Sequence, residues 1–250
     1  MAFIVYRGES YNVGDIVRLD KYLSGAAVCS RSEAAKAAKR GRITVDGAIV
    51  RDAAVHIDEN GARVTFDGRE VVWRRFDYIM LNKPAGYISS TEDSGRTVMD
   101  LLPPECQKKK MFPCGRLDID TTGLLLITND GDCAHKLLSP ARHVKKTYAF
   151  RCDPPIGENE RRALEAGVDL GEFVSAPAEV TLADDGCGTI SITEGKFHQI
   201  KRMFQAVGSK IVELERVSFG PLTLDASLGR GEFRELTPDE ERAITEYDNQ

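Results

Sequence analysis

Arg116, Asp118 and Asp120 stand at alternate positions in Cys114-Gly-Arg-Leu-Asp-Ile-Asp-Thr-Thr-Gly-Leu-Leu-Leu-Ile-Thr-Asn-Asp-Gly131, just ahead of the apolar run 124–127. That run ends in the turn residues Asn129-Asp130-Gly131 and predicts a buried strand. A carboxylate at the rim of such a strand is rigidly held, partly desolvated and beside a cation. Those conditions suit a nucleophile or a general base. Spacing alone also fits a plainer arrangement, in which one carboxylate caps a turn and the other pairs with Arg116.

A second group of reactive side chains follows Thr193. Ile200, Met203, Phe204 and Val207 recur at i, i+3, i+4 and i+7, which predicts a helix ending at Gly208. His198, Lys201, Arg202 and Gln205 share the spacing on the opposite side. A polar stripe is most simply a wet face. The density of cations gives this one two further candidate partners, Asp118 and nucleic-acid phosphates, and spacing does not choose between them.

The elements that must position these groups are those of an ordinary globular chain. At 250 residues, 42% hydrophobic and 29% charged, it holds one to two domains with a proper core. The apolar runs are too short to cross a bilayer, and no charged-then-apolar leader opens the chain, so no membrane partner is expected. Six cysteines are scattered without a Cys-x-x-Cys pair or histidines at ligand spacing, which predicts no zinc site, no disulfide framework and a reducing cytoplasm. Gly229-Arg-Gly231 lacks the helix of a dinucleotide fingerprint, and neither a phosphate-binding Gly-x-x-x-x-Gly-Lys loop nor a Gly-x-Ser-x-Gly elbow occurs. No cofactor and no metal are expected.

Charge is unevenly spread. The net charge is −5, and residues 232–250 carry all of it, with seven acids against Arg234 and Arg242. Residues 16–51 hold eight bases (Arg18, Lys21, Arg31, Lys36, Lys39, Arg40, Arg42 and Arg51) against three acids. A local basic patch of this kind matters more for phosphate binding than the whole-chain charge. Ser30-Arg-Ser-Glu33 is a capping box, so a helix starts near Arg31 and stops at Gly41. Lys36, Lys39 and Arg40 share one face of it, and the alanines pack on the other. A short strand and an Asp46-Gly47 turn follow. Residues 59–75 are polar and read as the close of this module and a linker. Beyond it, strands are predicted at 78–81, around Lys146, Tyr148 and Phe150, at 189–193 and at 210–217, an α+β pattern.

Four motifs in order resemble the RsuA/RluB/RluE/RluF family of pseudouridine synthases. They are Leu81-Asn-Lys-Pro-Ala-Gly-Tyr87, Gly115-Arg-Leu-Asp118 with Thr121-Thr-Gly-Leu-Leu-Leu, Lys145-Lys-Thr-Tyr148, and Glu194-Gly-Lys-Phe-His-Gln-Ile-Lys-Arg-Met-Phe204. The basic module with Arg18-Leu-Asp-Lys-Tyr22 resembles the S4 RNA-binding domain, and the whole resemblance covers about residues 17–236. It implies an α+β protein with an N-terminal extension (1–15), an S4-like domain and linker (16–75), a catalytic domain with a mainly antiparallel central sheet flanked by helices (76–237), and an acidic tail (238–250).

The resemblance also implies roles. Asp118, chosen over a structural Asp120, would be the nucleophile, toward C1′ of a uridine or by taking its C2′ proton. Lys201 would keep that carboxylate ionised against burial. Tyr148 would stack on the uracil, and Arg116 would fill the vacated base stack or hold a phosphate. RNA contacts fall to Arg18, Lys21, Arg31, Ser32, Lys36, Lys39, Arg40 and Arg42, and in the catalytic domain to Lys83, His198 and Arg202. The run Asp118-Ile-Asp-Thr-Thr-Gly123, the stretch Gly86-Tyr-Ile-Ser-Ser-Thr-Glu92 and Ser139-Pro140 look most like the small-subunit member. The implied partner is 16S ribosomal RNA, in an assembling 30S particle, met by a monomer. The rivals are a 23S rRNA enzyme, a catalytically silent S4-type RNA-binding protein, and a retaining glycosidase using Asp118 with Asp120.

Overall fold

The computed structural model describes residues 3–6, 9–12, 16–59 and 61–247, in two compact units, Met1–Phe76 and Asp77–Gln250. The expected extension 1–15 lies partly outside the described residues, and so do 248–250 of the expected tail.

The first unit runs β1 (Phe3–Tyr6), β2 (Glu9–Asn12), β3 (Ile16–Arg18), α1 (Leu19–Gly25), α2 (Arg31–Lys39), β4 (Ile43–Val45), β5 (Ala48–Ile49), β6 (His56–Asp58), β7 (Val64–Phe66) and β8 (Arg69–Val71). The predicted capping box starts α2. Ser30 Oγ accepts from the Glu33 N–H at 3.3 Å, and Glu33 Oε2 accepts from the Ser30 N–H at 2.8 Å. Ala34, Ala37 and Ala38 turn inward against Leu19, Leu23, Ile43 and Ile57, which leaves Lys36, Lys39 and Arg40 exposed. β5-β4-β7-β8 form one antiparallel sheet. The stretch expected to close the module does so, and residues 64–71 belong to its sheet and not to a linker. β7 and β8 lie there, Val64 and Val71 join the core, and the Tyr22 hydroxyl donates to the Val71 carbonyl at 3.0 Å. Three-residue strands among charged residues are too short for alternation to show in the sequence.

The second unit runs β9 (Tyr78–Lys83), α3 (Pro104–Lys108), β10 (Phe112–Pro113), β11 (Thr122–Thr128), α4 (Gly131–Leu138), β12 (Lys146–Asp153), α5 (Glu158–Ala166), β13 (Glu179–Leu182), β14 (Cys187–Ile192), α6 (Gln199–Ala206), β15 (Lys210–Phe219), β16 (Leu222–Thr223), β17 (Phe233–Glu235) and α7 (Pro238–Thr245). The described strands form one mixed sheet in the order β13-β14-β12-β15-β11-β9-β17, with β10 on β11 and β16 on β15. Its pairings are antiparallel except β11 with β15. The apolar stripe of α6 packs as its spacing requires, with Phe204 edge-on to Phe150 at 4.8 Å.

Two expectations change here. Asp130 does more than end a turn, since its Oδ1 accepts from the Cys133 N–H at 3.0 Å and caps α4. The acidic tail includes α7, started by a Thr237–Glu240 capping box, and it buries Ile244 against the unit. One apolar residue among many charges left no stripe to read. No helix among the described residues is long and apolar enough to cross a membrane.

β11 and β15 meet in parallel only at Thr122↔Glu215 and Gly123↔Arg216. Gly123 has φ +98°, and a Cβ there would lie 2.3 Å from the Arg216 carbonyl oxygen. Both the conformation and the space demand glycine. We expect Gly123→Ala to destabilise the protein by at least about 2 kcal/mol, or roughly 4 °C or more in Tm. Gly131→Ala, with nothing within 4 Å of its would-be Cβ, serves as the neutral control in calorimetry. Equal Tm values would contradict this close approach.

Candidate active site

The first and second motifs build one loop. Residues 114–121 lead into β11, and residues 83–89 wrap around them. Ser89 Oγ accepts from the Leu117 N–H at 3.1 Å and donates to the Leu117 carbonyl at 3.0 Å. The Gly86 N–H donates to the Ile119 carbonyl at 2.7 Å, and the Thr121 N–H closes a turn onto the Asp118 carbonyl at 3.1 Å. Lys83, the last residue of β9, is wholly buried. Its Nζ donates to the carbonyls of Thr121 (2.8 Å), Asp118 (3.0 Å), Pro84 (3.2 Å) and Ile119 (3.3 Å). Burial pulls this ammonium down to about 8, against the opposing pull of Asp120 and Asp118. Lys83 was expected to meet RNA. It cannot, because it is the internal anchor of the loop that carries Asp118.

α6 supplies the cation that faces this loop. Lys201 Nζ lies 2.9 Å from Asp118 Oδ2 and 2.5 Å from Asp120 Oδ1, and His198 Nε2 lies 3.7 Å from Asp118 Oδ1. Partial burial works against the Lys201 charge, but contacts with Asp120 and Asp118 overrule it and raise its pKa above the usual lysine value. Asp120 is likewise held below the usual carboxylate range by Lys201, although burial opposes this. The side chain of Asp118 is 27% exposed and that of Asp120 67%, so the Asp118 carboxylate is the more enclosed. The plainer arrangement is not found. Among the described residues Arg116 pairs with neither carboxylate and stands exposed at the rim.

Between them lies a small open cleft, walled by Arg116, Leu117, Asp118, Tyr148, Ile192, His198, Lys201 and Leu214. Tyr148 projects from β12 with its body buried. A flat ring and the aliphatic side chains of Leu117, Ile192 and Leu214, lining the same cleft as an ion-paired carboxylate, suit a planar heterocycle presented to a nucleophile or base.

The last motif enters α6 through a strained turn. Glu194 accepts from the Ala176 N–H (3.0 Å) and the Gln199 side chain (2.8 Å), while Gln199 Oε1 accepts from the Lys196 N–H (3.0 Å). That clamp holds His198 at φ +49°, just outside the helix in which its spacing had placed it. Arg202 is also corrected. It was expected on RNA, but it donates to the Leu170 carbonyl at 2.8 Å, pairs with Glu172 at 3.3 Å and lies over the Phe173 ring. In the first unit, Arg18 is paired with Asp20 and Arg42 with Asp67, which weakens both as free phosphate ligands. Lys21, Arg31, Ser32, Lys36, Lys39 and Arg40 are exposed as expected. Reading residue types missed Ser89, the clamp role of Glu194 and the sharing of Lys201 by Asp120. Glu194 and Lys201 lie in the fourth motif, but Ser89 stands two residues beyond the first and Asp120 between the two halves of the second.

Residues 77–206 match the family RNA pseudouridylate synthase, and residues 17–62 match the S4 domain. YtzG of Bacillus subtilis, named as an uncharacterized RNA pseudouridine synthase, is 43% identical over 92% of this chain and 99% of its own length. Ribosomal small subunit pseudouridine synthase A of Escherichia coli K12 is 39% identical over 90% and 98%. A crystal structure of a pseudouridylate synthase superposes with a TM-score of 0.65 at 36% identity, covering 91% of this chain and 99% of the other.

Proposed function

The chain belongs to the RNA pseudouridylate synthase family, and from that premise we propose that it isomerises one uridine of 16S rRNA, with Asp118 as its nucleophile. The observation that carries the site is the Asp118–Lys201 ion pair in a cleft walled by Tyr148. Support for the substrate comes from relatives named for the small ribosomal subunit at 38–40% identity over 90% of the chain. The particle that supplies it is an assembling small subunit.

The reaction breaks C1′–N1, turns the uracil, joins C5 to C1′ and releases the C5 proton, while N1 ends protonated. A uridine in RNA structure must first be flipped out. Arg116, exposed at the rim, takes the vacated place in the stack or a flanking phosphate. Tyr148 stacks on the uracil, a role that needs its flat face and not a phenolate. Asp118 supplies the electron pair, to C1′ or to the C2′ proton. Lys201, 2.9 Å from Asp118 Oδ2, keeps it aimed.

The test is to treat 16S and 23S transcripts with the protein and map pseudouridine by carbodiimide-dependent primer-extension stops. We expect one new stop, in 16S rRNA. A stop in 23S rRNA alone would move the substrate.

RNA affinity divides differently. Lys36 and Lys39 of α2 and its C-cap residue Arg40 form an exposed cationic face with no ion pair among the described residues. Replacing all three with alanine should weaken rRNA binding and flatten its salt dependence by about 2 log units per log unit of salt, at roughly 0.7 per phosphate contact. Filter binding across salt concentrations measures this, and an unchanged slope would place the phosphate contacts on another surface.

A further inference from the structure

Phe197 is 76% exposed, and among the described residues no other aromatic side chain is left open to this degree. A single exposed apolar residue is normally unremarkable, because folded surfaces carry many. Its position and support make this one different. The ring lies flat on the His198 imidazole, with centroids 3.8 Å apart and planes at 17°. That imidazole reaches within 3.7 Å of Asp118 Oδ1. The backbone turn that presents the pair is left-handed at His198, a conformation a non-glycine residue keeps only when its surroundings enforce it. The Glu194–Gln199 clamp enforces it here. The result is an aromatic face turned outward, one stacked ring from the carboxylate. In the loop that carries Asp118, Ile119 is also exposed, and Arg116 stands without an ionic partner among the described residues.

An open π-face stacked on one residue of the cleft, His198, with an unpaired guanidinium, Arg116, on the wall of the same cleft, has the chemistry of a single-stranded RNA platform, where the base stacks and the cation takes the phosphate. We propose that Phe197 is the stacking shelf for the nucleotide next to the flipped uridine, so that the pair Phe197–His198 holds the flanking strand while the target base enters the cleft. This inference rests on the RNA-isomerase reading of the same cleft. It assigns Phe197 to substrate binding, not to chemistry. Stacking on any base is sequence-tolerant, so Phe197 would supply grip near the target and leave its choice to other contacts.

The test compares the parent protein with Phe197→Ala and Phe197→Tyr. Loss of a base stack corresponds to roughly five- to hundredfold in affinity. With 16S transcript tritiated at uridine C5, Phe197→Ala should raise KM about tenfold with kcat within about twofold, and Phe197→Tyr should stay near the parent. A second arm needs no turnover. A single-stranded 12-mer of uridines with one central 2-aminopurine should lose fluorescence on binding the parent and Phe197→Tyr, but not Phe197→Ala. The substituted side chain is exposed, and unchanged Tm values would show that folding is intact. Equal KM and equal quenching in Phe197→Ala would overturn the shelf. A fall in kcat at constant KM would also overturn it, making Phe197 a support for His198. If the parent quenches 2-aminopurine in a Phe197-dependent way yet releases no tritium, the shelf stands and the isomerase reading falls.

Discussion

Asp118→Asn is expected to lose turnover by at least about 10⁴-fold, the scale of removing a nucleophile, while retaining fold and RNA affinity. The amide is nearly isosteric and can still accept from Lys201 Nζ, which now lies 2.9 Å from Asp118 Oδ2. It lacks the charge that both routes from Asp118 require. Asp120→Asn should cost far less, about tenfold, because Asp120 is largely exposed and shares Lys201 instead of facing the cleft's inner wall. Single-turnover rates with Tm controls decide between the two carboxylates. Equal losses in the two variants would remove the distinction drawn between them.

Lys83→Met carries the second large effect, and magnitudes show where it should appear. Holding an ammonium at a pKa of about 8 instead of about 10.4 costs roughly 3 kcal/mol, which methionine recovers. Methionine also leaves the Pro84 and Thr121 carbonyls without their donor, at about 1–3 kcal/mol each. The Asp118 and Ile119 carbonyls keep the Thr121 and Gly86 N–H groups. The terms nearly cancel, so Tm should move little. Turnover should fall about 100-fold, because the Asp118 loop loses its anchor and a misplacement of about 1 Å is enough.

The pH profile follows with definite signs. Between about pH 8 and 10.4 the unfolded chain binds the Lys83 proton that the folded protein has released, so this group makes stability rise with pH across that window. Activity should nevertheless decline above about pH 8, as the anchor loses a donor, and the decline should be absent from Lys83→Met. Lys201, raised, contributes stability that is present below about 10.4 and lost as pH rises through its folded value. Asp120, lowered, contributes stability that is present above about 3.9 and lost as pH falls through its own. Parallel kcat and Tm profiles separate loop loosening from unfolding.

What could be read in the sequence depended on range. The strand of residues 122–128, the α6 stripe Ile200, Met203, Phe204, and the capping box at Ser30 were legible because each is a local pattern that packing only reinforces. The Asp118–Lys201 pair joins residues on separate elements, and only the family resemblance linked them. Lys83 was misread because lysine is almost always exposed, and what buries it is a loop some 35 residues away. Arg42 and Arg202 were counted as free charges because their partners Asp67 and Glu172 are distant in sequence and set by tertiary geometry, whereas Arg18 was miscounted although its partner Asp20 stands only two residues on. α7 stayed hidden because charge dominates its sequence.

The most direct measurement follows the hydrogen on C5. Joining C5 to C1′ requires that hydrogen to leave, so 16S rRNA tritiated at uridine C5 should release tritium to water in step with pseudouridine formation, and Asp118→Asn should release none. RNA carrying 5-fluorouridine at the target should rearrange and then stall with a saturated base, since fluorine cannot leave as a proton. Release of free uracil, leaving an abasic site, would instead identify a glycosidase. Tight binding of 16S rRNA with all tritium retained on the RNA would contradict isomerisation altogether and leave only an RNA-binding protein.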